Sequence, residues 1–254
     1  IFVLYISSMN QKKIKTASLV IIGNEILSGR TQDKNINYIA KELFKSGISL
    51  QYVCVIPDVQ KKIINTVRNL KKSYDFIITT GGIGPTHDDI TAESISMAVK
   101  KKYSLNKGAL KELEKYYKKV KSELTDARKK MAYMPVGSKL IKNSVSGAPG
   151  FIIENIFVFA GVPSIVEAMT KEFLKIIKVK NKFYSSSIVT NLFESKIAHI
   201  LEEAEKTFNE VSIGSYPIFD GKPKGVEVII SSMTNRTNAL KARKYILREI
   251  NKII

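Results

Sequence analysis

The chain alternates short apolar runs with segments whose apolar residues recur at helical spacing. Thr16-Ala17-Ser18-Leu19-Val20-Ile21-Ile22 is almost continuously apolar and stops at Gly23, which predicts a strand buried on both faces. Ile36, Ile39, Ala40, Leu43 and Phe44 then fall on one helical stripe that Gly47 closes. A second strand is predicted over 52–56, and a second helix carries Ile63, Ile64, Val67 and Leu70. A third strand over 76–80 runs into Gly81-Gly82, and a helix is expected over about 89–99. Strand–helix–strand units of this length imply a parallel sheet with right-handed crossovers. Helices over 107–132 show the stripe Leu110, Leu113, Tyr117, Val120 and Leu124. Short strands follow over 139–141, 151–153 and 156–159, and a helix starts at Pro163.

The polar, Lys/Ser-rich stretch 178–187 marks a boundary. Beyond it, a strand (187–190), a helix (194–208), two strands (211–215 and 226–231) and a helix (238–250) make a β-α-β-β-α unit, expected to fold as two layers. The expected organisation is an α/β domain over 16–178 and a small α+β domain over 185–254. Residues 1–15 read as a disordered or mis-called extension, since the chain starts at Ile1 and Met9 precedes a polar stretch.

Composition narrows this picture. With 254 residues, 44% of them hydrophobic, the chain can bury a sizeable core. No apolar run approaches the roughly 20 residues of a membrane helix, so no membrane partner is expected. Cys54 has no second cysteine to pair with and fits a reducing cytoplasm. The net charge of +18 suggests nucleic acid at first, but only six of the 41 basic residues are Arg and the lysines are spread over nearly every helix. Clustered Arg forks and stacking aromatics are missing, which argues against a nucleic-acid surface. The charge still favours anionic small molecules.

Ligands of open parallel sheets bind outside the carboxyl ends of the strands. Four segments exit there: 23–29 with Asn24, Glu25 and Ser28; Pro57-Asp58; the run from Gly81 to Asp89; and Gly161-Val162-Pro163-Ser164. Gly81, Gly82 and Gly84 let the backbone approach a ligand, and a following helix N-terminus would offer N–H groups to a phosphate. Thr86-His87-Asp88-Asp89 also matches a capping box, which accounts for one carboxylate but not two. Carboxylates beside a phosphate call for a cation between them, so a divalent metal such as Mg²⁺ on Asp88 and Asp89 is expected. Asp58 alone also reads as an N-cap for the helix after Val59, and Asn24 and Glu25 as turn formers. His87 reads as an incidental turn residue and His199 as structural.

At 23–29, 81–91 and 161–163 the sequence resembles the MoaB/Mog molybdopterin-binding domain family, in particular its CinA branch and the N-terminal half of eukaryotic FAD synthases. Ala127-Arg128, Met134-Pro135-Val136-Gly137 and the stretch from Asn143 to Gly150 extend the resemblance, which covers roughly 16–177. Ile213-Gly214-Ser215-Tyr216-Pro217 resembles short stand-alone members of the branch. The resemblance implies a three-layer α/β/α fold, a mostly parallel sheet and a phosphate-bearing ligand, either nucleotide or pterin. It assigns catalytic roles to Asp58 and Asp89, and so adds Asp58 to Asp88 and Asp89 as an expected ligand of the metal. It places Thr86, Asn143, Gly161, Pro163 and Ser164 on the ligand with the glycines, Asn24, Glu25 and Ser28. Asn24 stands where many relatives have Asp, and Ala160 and Ile165 stand where a Pro and a Glu are often found. The activities implied are metal-dependent hydrolysis of ADP-ribose-like pyrophosphates or, alternatively, molybdopterin binding and adenylylation; a homo-oligomer is expected. A third reading makes the chain a non-catalytic scaffold with a basic RNA-binding or oligomerisation module.

Overall fold

Along the first strand, Ser18, Val20 and Ile22 face one side while Ala17, Leu19 and Ile21 face the other, and all six are buried. A strand with two buried faces must lie inside a sheet covered by helices on both sides. The computed structural model, which describes residues 14–178, 183–219 and 221–253, has this arrangement. The expectation for 1–15 therefore falls almost wholly outside the described residues. The described chain divides into two compact units, one built on residues 15–44 and 48–178 and the other on 183–253.

The larger unit begins with β1 (Lys15–Ile22), α1 (Asn24–Leu27), α2 (Asn35–Lys45), β2 (Ile48–Ile56), α3 (Gln60–Leu70), β3 (Phe76–Thr80) and α4 (Thr91–Ala98). It continues through β4 (Tyr103–Leu105), α5 (Lys107–Lys119), α6 (Asp126–Lys129), a 3₁₀ turn (Lys130–Ala132), β5 (Tyr133–Pro135) and β6 (Lys139–Ile141). It closes with β7 (Gly150–Ile153), β8 (Ile156–Phe159) and α7 (Pro163–Ile177). Six strands form one sheet in the order β2-β1-β3-β8-β7-β6. The pairs β1–β2, β1–β3 and β3–β8 are parallel, whereas β8–β7 and β7–β6 are antiparallel. One face packs Val20, Ile22 and Ile77 against Ile63 and Val67 of α3, Ile95 of α4 and Leu113 of α5. The other packs Leu19, Ile21 and Ile78 against Ile39 and Leu43 of α2 and Phe173 of α7. These are the three layers α/β/α.

The differences from expectation have local causes. β2 starts at Ile48, four residues before the expected 52, and the register shift between Ala17 and Ser18 that leaves Gln51 unmatched interrupts the alternation that would have marked these residues as strand. Val120 is exposed because α5 ends at Lys119 and Val120 is only its C-cap. The three-residue strands β4 and β5 pair as an antiparallel ribbon too short to show periodicity.

Asp75 joins the starts of β1 and β3. Its carboxylate accepts from Lys15 Nζ (2.6 Å), Thr16 N (2.9 Å) and Thr16 Oγ1 (3.1 Å). Burial pushes its pKa up, but the Lys15 and Thr16 bonds outweigh that and hold it below the usual range. Its contribution is therefore complete above the unfolded value of about 4 and is lost as pH falls through the lower folded value. Asp75→Asn should cost about 1 kcal/mol at pH 7 after solvent screening, and less at pH 3. Urea midpoints at the two pH values check this, because an equal loss at both would contradict the assignment.

The smaller unit runs β9 (Tyr184–Thr190), α8 (Glu194–Thr207), β10 (Ser212–Phe219), β11 (Pro223–Ser232) and α9 (Arg236–Asn251). Its antiparallel sheet has the order β10-β11-β9. Ile188, Val228 and Ile230 meet Ile197 and Ile200 of α8 and Ala242 and Ile246 of α9 in one core. Pro217, which has no N–H, sits on edge strand β10, where the ladder tolerates it. His199 is exposed on α8, so it is not the structural residue expected.

Candidate functional site

The ends of the parallel strands are tied directly to one another. Gly23 N–H donates to the Ile56 carbonyl (3.2 Å) and Gly81 N–H to the Phe159 carbonyl (3.2 Å). Gly161 packs so closely that a β-carbon there would lie 3.3 Å from the Gly81 α-carbon. Gly81 has φ +97°, and a β-carbon on it would overlap the Ile22 carbonyl oxygen. Gly82, at φ +69°, leaves room for the Thr91 hydroxyl behind it. A β-carbon on Gly84 would stand 2.6 Å from Asp89 Oδ2, so the bare backbone is what admits that carboxylate. Each glycine is needed where the chain approaches itself or takes a left-handed turn.

Asp89 folds back on its own loop, its Oδ2 accepting from the N–H (2.9 Å) and the hydroxyl of Thr86. These bonds close a turn ahead of the helix and do not cap it. α4 starts only at Thr91, whose N–H is taken by the Gly82 carbonyl (2.9 Å). The first N–H of the helix is thus taken up within the loop and is not free for an anion. Asp58 likewise caps nothing on α3, whose N-cap is Val59 without a side-chain bond. Its Oδ2 instead accepts the Asn24 N–H (2.8 Å), joining the end of β2 to the turn after β1.

Around these loops lies a cleft of about 530 Å³. Glu25, Asp58, Asp88 and Asp89 line it beside Gly81, Gly82, Gly84, Gly161 and Pro163; Met131 and Ile165 give it apolar walls. No Lys, Arg or His is among its lining residues, in a chain of net charge +18. The Thr86 hydroxyl, which also faces Asp88, together with the backbone N–H of Asp88 and the charges of His87 and Lys130, holds the Asp88 carboxyl below the usual range. Asp88 is therefore ionised throughout the neutral range.

Other expected ligand residues fall outside the lining. Asn24 contributes its backbone to the Asp58 bond, and Ser28 donates from its hydroxyl to the Glu25 carbonyl (3.3 Å). Thr86 shapes the loop through Asp89. Asn143 uses its amide inwardly: Nδ2 donates to Ser146 Oγ (2.7 Å) and the Ala148 carbonyl (2.9 Å), and Oδ1 accepts from Val145 N and Ser146 N. It holds the loop that puts Ser146 and Ala148 on the cleft wall. Ser164 faces a different groove of about 750 Å³ between α5 and α7. That groove is larger and has Asn143 as well as Ser164 in its wall, but none of the expected glycines or aspartates lines it.

Sequence reasoning missed a polar hollow of about 70 Å³ behind the cleft. There Asp33 Oδ1 accepts the Ile36 N–H (2.8 Å) at the start of α2, and Asn35 Nδ2 donates to the Gly161 carbonyl (2.9 Å). Asp33 Oδ2 and Thr80 Oγ1 are buried there without a protein partner. The signal was Asp33-Lys34-Asn35 just ahead of an apolar helical stripe, which is a capping pattern.

The model of the family described as "probable molybdopterin binding domain" matches residues 18–179, and that of the "FAD synthase, middle domain" matches 182–254. The chain belongs to the molybdopterin-binding domain family. Curated relatives include a protein of Archaeoglobus fulgidus, 36% identical over 199 residues (78% of this chain and 84% of that one). A CinA-like protein of a Sulfurihydrogenibium strain is 32% identical over 235 residues, covering 90% of this chain and 56% of that one. The solved structure of the CinA protein of Thermoplasma acidophilum is 32% identical with a TM-score of 0.59, covering 64% of this chain and 98% of that one. Family membership agrees with the resemblance carried by 23–29, 81–91 and 161–163. Among the described residues no helix is long and apolar enough to cross a membrane.

A divalent metal was expected on Asp58, Asp88 and Asp89. These three line one cleft, yet among the described residues no three His, Cys, Asp or Glu side chains converge as a metal-binding group. Asp58 and Asp89 each have one oxygen committed to a backbone N–H, which leaves the other for a ligand. One or two carboxylates suffice for Mg²⁺ when phosphate oxygens supply further ligands. The donor set therefore fits an ion shared with a bound phosphate, not a self-contained protein centre.

Proposed function

We propose that the chain is a metal-dependent hydrolase of ADP-ribose-like nucleotide pyrophosphates. The observation that carries this reading is the meeting of the Gly81–Gly84 loop with Asp58, Asp88 and Asp89 in one cleft at the carboxyl edge of parallel strands. The backbone N–H groups of Gly82 and Gly84 would hold the pyrophosphate, as those of glycine-rich loops do for phosphates. Asp58 and Asp89 would orient the attacking water from their uncommitted oxygens, and Met131 and Ile165 would exclude bulk solvent. A bound divalent ion would neutralise phosphate charge and lower the pKa of water. Water adds to phosphorus, the bridging P–O bond breaks, and AMP and ribose 5-phosphate result from ADP-ribose. The smaller unit does not read as an RNA module, since residues 183–253 carry ten basic against eight acidic side chains.

The test is AMP release from ADP-ribose by the full chain with Mg²⁺, Mn²⁺ or Co²⁺. Asp89→Ala should lower turnover at least about 100-fold. Absence of AMP with every ion would reject the proposal. Membership of the molybdopterin-binding family supports one other reading, in which the chain binds molybdopterin and, as a further step, adenylylates it. Calorimetry separates the two, because tight pterin binding belongs to that reading alone.

A further inference from the structure

The acidic cleft raises a question of charge. A phosphate on the glycine loop would face Glu25, Asp58, Asp88 and Asp89 with no basic side chain in the lining. Like charges at such range oppose one another unless a counter-charge is near. One is supplied by a segment outside the strand ends. The Thr125 hydroxyl accepts the Arg128 N–H (3.4 Å) at the start of α6, and the following 3₁₀ turn ends in Ala132, which is fully buried. The Ala132 carbonyl accepts the Asn106 N–H (2.9 Å), which anchors the turn against the start of α5. This anchoring sends two successive side chains to the site. Met131 enters the cleft wall, and Lys130 reaches the glycine loop, where its ammonium donates to the Thr86 carbonyl. Lys130 also borders a small hollow shared with Gly84 and Asp89. Lys129, its neighbour, is held by Asp126 on α6 (2.8 Å) and lines neither space.

We propose that Lys130 is the phosphate-binding cation of this site, holding the loop through Thr86 in the free protein and pairing with a phosphate oxygen when a ligand sits on Gly82–Gly84. The inference rests on reading the cleft as a phosphate-ligand site and names the residue that tolerates the ligand's charge there. An ammonium has three donors, of which the Thr86 carbonyl takes one. Hydrogen bonds between two ionised groups are stronger than those to a neutral carbonyl. Lys130 acts on binding, and no bond-breaking step passes through it.

The experiment is calorimetric titration of the full chain with inorganic pyrophosphate and with ADP-ribose, in EDTA and again with Mg²⁺, over a range of salt. Lys130→Gln keeps an N–H donor but removes the charge; Lys130→Arg keeps the charge; Lys129→Gln changes net charge equally at the wrong place. Lys130→Gln should weaken both probes roughly tenfold or more and flatten the salt dependence. Lys130→Arg should stay near wild type, and Lys129→Gln should match it. Equal pyrophosphate affinity for Lys130→Gln and Lys129→Gln overturns the proposal. So does an equal loss in Lys130→Gln and Lys130→Arg, which would mean that Lys130 only shapes the loop. A wild-type chain that binds pyrophosphate but does not cleave ADP-ribose defeats the hydrolase reading and leaves Lys130 standing. Binding of neither probe defeats both.

Discussion

Gly81→Ala should lower the stability of the larger unit by about 2–4 kcal/mol and abolish ligand binding at the cleft. At φ +97° an L side chain is strained, and its β-carbon would collide with the Ile22 carbonyl oxygen. That oxygen is backbone in a buried strand, so it cannot swing away as a side-chain tip would. Relief requires β1 and β3 to separate at their carboxyl ends, where the cleft lies. For a unit of this size the loss corresponds to a melting temperature roughly 5–15 °C lower. Gly29→Ala is the internal comparison. Gly29 also has a left-handed φ, +71°, but a β-carbon there meets nothing within 4 Å. It should cost only about 1 kcal/mol and leave the cleft intact. Scanning calorimetry of the two variants decides the matter, and indistinguishable melting would refute the collision argument.

Phe173→Ala should destabilise the same unit by about 3–5 kcal/mol. Phe173 is fully buried on α7, with its ring edge-on to Phe157 at 4.6 Å, Phe76 at 5.7 Å and Phe159 at 6.2 Å. These three rings come from β3 and β8, so the helix is held to the sheet at the strands that lead into Gly81 and Gly161. Truncation leaves a void among rings that cannot collapse without moving strands, and edge-to-face contacts worth about 0.5–1.5 kcal/mol each are lost as well. The larger unit's unfolding transition should move down, while the smaller unit, which has its own core of Ile188, Val228, Ile197 and Ile246, keeps its transition. A loss under about 1 kcal/mol in chemical denaturation would show that α7 is not fastened through this residue.

The strands and helices of the sheet were legible because burial on both faces leaves a continuous apolar run, as in Leu19-Val20-Ile21-Ile22, and burial on one face leaves a stripe, as in Ile39 and Leu43. The candidate loops were legible for a related reason. A chain that must turn sharply at the end of a strand needs glycine, and Gly81-Gly82 after Phe76–Thr80 marks the place whatever lies across from it. What polar side chains do was far less legible, since a carboxylate's role depends on which donor reaches it. Asp58 reads as a cap for the helix that follows it, but it bonds Asn24, 34 residues away in sequence. Lys130 looks like any other surface lysine until the fold carries it to a carbonyl 44 residues away.

Taken alone, the sequence determined the alternation of strands and helices, the carboxyl ends of the parallel strands and the glycines of the sharp turns beyond them, because these follow from local backbone sterics and from hydrophobic periods of two and 3.6 residues. Only the tertiary structure decided that Asp58, Asp88 and Asp89 line one cleft without forming a three-carboxylate centre, that Asn143 is used up in its own loop, and that Ser164 faces away. Hydrogen bonds and charges act over a few ångströms of space, and sequence distance does not predict which groups the fold will bring that close.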